Sequence, residues 1–113
     1  MISMANYWKN DVILVRYPFS DLSNSKIRPA IIVSSPHTSQ DVLITPLTSK
    51  TQLLLQGEFI LSDWKKAGLN VETAVKRGIY TIYQGLILKK VGKLVDADAT
   101  KLEQSLRQWL GLS

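Results

Sequence analysis

Apolar and β-branched residues gather in three short runs along the first half of the chain: "DVILVRYPF" (residues 11–19), "RPAIIVSS" (28–35) and "QDVLITPLTSK" (40–50). Each is bounded by proline, serine, asparagine or aspartate, and their length and composition predict strands. Pro18 is expected to close the first strand, Pro29 to open the second and Pro46 to end the third, because a prolyl nitrogen cannot donate to a ladder. "SDLSNSK" (20–26) is the loop between the first two. "GEFILSDW" predicts a fourth strand running into a turn, with a break at Gly68 in "KKAGLN". "ETAVKR" and "IYTIY" read as strand pieces interrupted at Gly78, and "LILKKVGKL" as an extended or short helical piece. The last segment, "DADATKLEQSLRQWLGLS", changes period. Leu102, Leu106, Trp109 and Leu110 fall at i, i+4, i+7 and i+8, one face of an amphipathic helix. Asp96 or Asp98 is expected to cap it and Gly111 to end it. Short strands followed by one helix predict a mainly β fold: a small, strongly curved antiparallel barrel with the C-terminal helix packed on it.

The 113 residues suffice for one core, so a single domain is expected over 1–113, with 1–6 an irregular leader. "MISMANYWKN" lacks the apolar run of about 7–15 residues of a signal peptide, and no stretch approaches the roughly 18 apolar residues of a membrane span. A cytoplasmic location is the expectation. Cysteine is absent and His37 is the single histidine, which excludes a disulfide framework and a Cys/His zinc or redox site. No cofactor or metal is expected. His37 lies in the polar stretch "SSPHTSQD" and reads as a solvated loop residue.

Charge adds a direction. Fourteen basic against nine acidic residues give a net +5, which favours a polyanion or an acidic protein as partner. Arg28 precedes a proline, which holds its backbone extended at a rigid strand start. A guanidinium placed there is a permanently charged fork that matches phosphate oxygens; pairing with a loop carboxylate such as Asp21 is the structural alternative. In "TPLTSK", hydroxyls can hydrogen-bond phosphate and Lys50 adds a point charge, although Thr48 or Ser49 can equally bond the local backbone. Lys76 and Arg77, with Lys65, Lys66, Lys89, Lys90 and Lys93, supply further positive charge for a groove along a phosphate backbone. Tyr17, Phe19, Tyr80 and Tyr83 lie close to these basic stretches and could stack bases, but most are assigned to the core.

Taken in order, "NDVILVRYPFSDLSNSKIRPAIIVSS", "LITPLTSK", "SDWKKAGLNVETAVK" and "KKVGKL" before the terminal helix form a series that resembles the PemK/MazF family of toxin endoribonucleases, from about Tyr7 to Leu112. The resemblance implies an SH3-like barrel, a homodimer, metal-independent cleavage of single-stranded RNA, and inhibition by a cognate antitoxin. It places the family's arginine on Arg28 and its strand-end hydroxyl on Thr48, the two candidate catalytic residues. Ser25, Lys26, Ser49, Lys50, Lys76 and Arg77 are the candidate RNA contacts. Two positions depart from the family pattern. Asn10 stands where glycine is common, a turn asparagine can also make, and "VKRG" lacks the carboxylate that some members carry there. A non-catalytic toxin of the same fold, a gyrase poison or an RNA-binding module, is the alternative function.

Overall fold

The computed structural model describes residues 7–17 and 26–113; the expectations for residues 1–6, for Pro18 and Phe19, and for the loop containing Asp21 and Ser25 lie outside the described residues. The elements are β1 (Asp11–Tyr17), β2 (Lys26–Ile32), β3 (Asp41–Thr48), β4 (Phe59–Ile60), β5 (Ala74–Val75), β6 (Tyr80–Tyr83), a 3-10 turn (Gln84–Leu86), β7 (Ile87–Lys93) and α1 (Asp96–Leu110). "LILKKVGKL" is therefore extended, and the fourth strand is only two residues long.

All pairings are antiparallel. β2 lies between β1 and β3, β7 pairs the free side of β1, and β6 pairs the first half of β3. The five strands thus run β6–β3–β2–β1–β7. The sheet does not close through hydrogen bonds between β6 and β7. Its two end strands are nevertheless joined in sequence by the three-residue 3-10 turn, so the sheet must curl until they are about 10 Å apart. The interior of that curl is filled by Ile13 and Val15 of β1, Ala30 and Ile32 of β2, Val42 and Ile44 of β3, Ile82 of β6 and Ile87 of β7. Period-two alternation along each strand puts these on one face, and burial of each large aliphatic side chain is worth about 1.5–3 kcal/mol.

The opposite face carries a second core. Val12, Ile31 and Leu47 project from it and pack with Leu61, Ala67, Val75, Leu94, Leu102 and Leu106. β5 joins the C-terminal end of β3 and β4 joins β5. Helix α1 buries Leu102 and Leu106, half-buries Trp109 and leaves Leu110 57% exposed, so the predicted face is narrower at its end. Gly111 terminates the helix as expected at φ 72°, with Leu112 N–H donating back to the Arg107 carbonyl. The start differs from expectation. Val95 is the N-cap, without a side-chain bond, and neither Asp96 nor Asp98 caps the helix. Asp98 is fully buried and instead accepts the backbone N–H groups of Ser62 and Asp63, tying the helix to the turn after β4. Tertiary donors were available to that carboxylate, and they took it from the local role.

Residues 62–69 turn against β7 at backbone contact distance. Gly68, at φ 92°, lies against the carbonyl of Val91, and Gly92 lies against the carbonyl of Ala67; a Cβ on either would overlap the facing backbone. Asn10, in place of the family's glycine, adopts φ 79° and donates its N–H to the Ile32 carbonyl, so the turn before β1 survives the exchange.

Glu58 fastens two further loops. Its carboxylate accepts Leu55 N–H at 2.8 Å and Arg77 N–H at 2.8 Å. Burial pushes this carboxyl up, but the two backbone donors and the nearby Lys76 and Arg77 charges outweigh it and hold its pKa below the usual 4.5. A depressed folded-state pKa contributes stability that is present above 4.5 and is lost as pH falls through the lowered value. Melting curves collected from pH 5.5 to 3 should therefore show a steeper loss for wild type than for Glu58→Gln. Parallel curves for the two proteins would remove this anchoring role.

Candidate nucleic-acid interface

Two prolines set the geometry of the site. Val33 N–H donates to the Leu43 carbonyl, so residues 33, 31 and 29 direct their backbone groups towards β3. Pairing between β2 and β3 begins only at Ala30↔Pro46. Pro29, expected at the first position of its strand, is in fact the fourth residue of β2, and it is tolerated because its nitrogen faces an edge with no partner. Pro46, expected to end β3, lies inside it. Its carbonyl accepts Lys76 N–H at 2.9 Å, so its nitrogen also faces that side, in the break where β3 passes from β6 at Ile44 to β5 at Leu47. Beyond this point β2 and β3 part.

The parting opens a cleft of about 550 Å³. Arg28 and Pro29 line it from β2, and Leu47, Thr48, Ser49 and Lys50 from the end of β3. Lys76 follows β5, and Leu69, Asn70, Val71 and Thr73 make the remaining wall. Among the described residues, three cations line the cleft and no carboxylate does. Arg28 is exposed, and among the described residues no carboxylate pairs with it. Thr48 Oγ1 accepts Lys50 N–H at 3.0 Å, which is the local turn bond weighed from the sequence. That bond uses a lone pair and fixes the hydroxyl while leaving its proton free to donate, so the turn role and a phosphate role are compatible. The arrangement suits a phosphodiester: a fixed positive field, a planar fork and oriented hydroxyl donors.

Of the eight candidate residues, Arg28, Thr48, Ser49, Lys50 and Lys76 come together here. Lys26 is exposed at the start of β2, paired with Tyr17, and is not part of the cleft wall. Arg77 follows Lys76 but points the chain elsewhere, lining two smaller clefts with Trp109 beside the end of α1. Ser25 lies outside the described residues. The other basic residues do not converge: Lys90 lies 3.1 Å from the buried carboxylate of Asp11, and Lys65 sits over the Trp64 ring. Tyr80 and Tyr83, two of the four aromatics of which most were expected in the core, are about half exposed and lie across Gly78 and Gly85, with neither in the cleft. His37 is exposed and bonds Ser39, as its loop context suggests.

Sequence reasoning missed the wall from Leu69 to Thr73. Only the apolar residues Leu69 and Val71 on either side of Asn70, just after a glycine, could have drawn attention to it. Glu72, within this stretch, accepts the Thr51 hydroxyl at 3.0 Å, and Glu58 holds its two backbone donors, one of them Arg77 N–H. Among the described residues, no three histidine, aspartate or glutamate side chains group in a way that could hold a metal ion.

A curled five-stranded antiparallel sheet with a terminal helix, and a cleft lined by Arg28, Lys50 and Lys76 where two strands part, define a class of small, mainly β proteins. Comparison with known proteins gives the family. The chain belongs to the PemK-like, MazF-like toxins of type II toxin–antitoxin systems, whose family model matches residues 9–110. Solved structures agree in fold. An endoribonuclease from a mycobacterial species superposes with a TM-score of 0.73 at 22% identity, over 98% of this chain and 97% of its own. A mycobacterial endoribonuclease in complex with its cognate antitoxin gives 0.67 at 19% identity, covering 97% and 98%. A MazE–MazF structure from Deinococcus radiodurans gives 0.74 at 12% identity, covering 94% and 97%. No curated protein matches the chain in sequence.

Proposed function

We propose that this toxin is an endoribonuclease that cuts single-stranded RNA in the cleft between β2 and β3, using the RNA's own 2′-OH as nucleophile. The observation that carries the reading is the convergence of Arg28, Thr48, Lys50 and Lys76 around one cavity that, among the described residues, no carboxylate lines. Arg28 faces the scissile phosphate and stabilises the charge that grows on its equatorial oxygens; being charged before reaction, it needs little reorganisation. Thr48 positions the phosphate or the 2′-OH by hydrogen bonding. Ser49, Lys50 and Lys76 hold the flanking backbone, and Lys26 and Arg77 belong to its outer path. Attack by the 2′ oxygen forms a 2′,3′-cyclic phosphate and expels the 5′ oxygen, which leaves as a hydroxyl after protonation. Water carries both protons; among the described residues no carboxylate lines the cleft.

The named similarity to an endoribonuclease held by its antitoxin supports a cognate antitoxin as partner, and the net charge of +5 favours an acidic segment for it. Leu110 and Leu112, each 57% exposed at the helix end, support a homodimer. A cytoplasmic site of action follows from the RNA substrate, and no helix of the described residues is long and apolar enough to cross a membrane.

The test is incubation of purified protein with a single-stranded RNA in EDTA, followed by analysis of the product ends. Cleavage leaving 2′,3′-cyclic phosphate and 5′-hydroxyl termini is expected. RNA that is bound but left intact would replace the reading with an RNA-binding module, and gyrase-trapped DNA breaks in expressing cells would replace it with a gyrase poison.

A further inference from the structure

The wall opposite the cations is too firmly built to be an incidental loop. Leu69 N–H donates to the Trp64 carbonyl at 3.0 Å, and Leu61 N–H donates to the Thr73 carbonyl at 2.9 Å. Thr73 Oγ1 donates to the Val71 carbonyl at 2.8 Å, and the Thr51 hydroxyl donates to Glu72 at 3.0 Å. On one side of this segment Gly68 is seated against β7; on the other, Ala74 enters β5. The backbone of Asn70 is therefore fixed at both ends.

Its side chain is exposed and, among the described residues, makes no hydrogen bond. It stands between Leu69, half-buried, and Val71, which is 55% exposed, so a free amide projects from an apolar border directly into the cleft. The cations that line the cleft with it are assigned to the phosphate, which carries no base identity. An amide can, because it offers two donors and an acceptor at fixed spacing, and because bases of single-stranded RNA are read by stacking and by bonds to their edges.

We propose that Asn70 is a specificity-determining residue, which hydrogen-bonds the edge of the base next to the phosphate held by Arg28, with Leu69 and Val71 as the apolar surface beside that base. The inference rests on the endoribonuclease reading and deepens it by naming what selects the cut site.

The experiment maps wild-type cuts on a long single-stranded RNA, then measures relative kcat/KM on oligonucleotides that differ only at the two bases flanking the cut. Asn70→Asp replaces a mixed donor and acceptor with acceptors alone. Cutting should shift towards bases that present N–H donors at that place, the amino groups of adenine and cytosine or the N1–H and N2 amino group of guanine, and away from an edge that presents an acceptor there, by roughly tenfold or more. Asn70→Ala should flatten the preference. Unchanged ratios in both variants overturn the proposal, and so does an equal loss on every oligonucleotide by a protein that melts like wild type. Wild-type protein that cuts no RNA overturns the parent reading instead, a result seen before any variant is made.

Discussion

Arg28→Ala slows cleavage of single-stranded RNA by at least about 10²-fold, the loss expected when a pre-organised donor to a developing oxyanion is removed. The magnitude follows from where the residue stands. Pairing of β2 with β3 stops at Ala30, so Arg28 projects at the edge of an open cleft shared with Lys50 and Lys76, which no carboxylate lines among the described residues. Arg28→Lys should recover only part of the rate, because an ammonium keeps the charge and loses the planar fork. Stability should hardly move, since the side chain is exposed and substitutions at such positions usually stay within about 0.5 kcal/mol. Single-turnover rates and thermal melts on the same preparations check both halves. An Arg28→Ala protein that cuts at the wild-type rate would sink the role given to this residue.

Gly68→Ala is the substitution expected to damage the fold most. Two costs fall on one position. The backbone at φ 92° disfavours any Cβ by about 1–2 kcal/mol, and overlap with the Val91 carbonyl adds about 1–3 kcal/mol because the obstacle is backbone and cannot swing aside. A loss of about 2–5 kcal/mol lowers Tm by roughly 10–25 °C in a domain of this size. Gly111→Ala is the matched control: it has φ 72° but open space around it, so only the backbone cost applies. Equal shifts in the two variants would show that the close approach to β7 contributes little. Because Gly68 directly precedes the wall containing Asn70, its substitution should also loosen the cleft at temperatures where the protein is still folded.

Much of this was readable in the chain itself. The runs "DVILV", "AIIV" and "VLIT" lie in or beside strands β1, β2 and β3, and the 3.6-residue spacing of Leu102 and Leu106 gave the helix and its buried face. Family resemblance placed Arg28 and Thr48. The errors have a common origin. Proline was treated as punctuation, yet Pro29 and Pro46 sit inside strands, because what matters is whether a partner strand faces the nitrogen at that residue. Asp98 was treated as a helix cap, yet the N–H groups of Ser62 and Asp63, far away in sequence, claim its carboxylate. Lys76 and Arg77 look equivalent as neighbours, and the structure sends them to different clefts.

By itself, then, the sequence determined what is local or periodic: the strand runs, the amphipathic helix, the lack of a cysteine or histidine cluster, and the pre-organised cation before Pro29. Tertiary structure alone decided which distant residues face that cation. Leu69 to Thr73 lie some forty positions further on, and they reach the cleft because the chain is fastened to β7 at Gly68 and to β3 through β5. Local propensity carries no record of such contacts. They arise only when β2 and β3 part at two prolines and leave a space that a remote segment must wall.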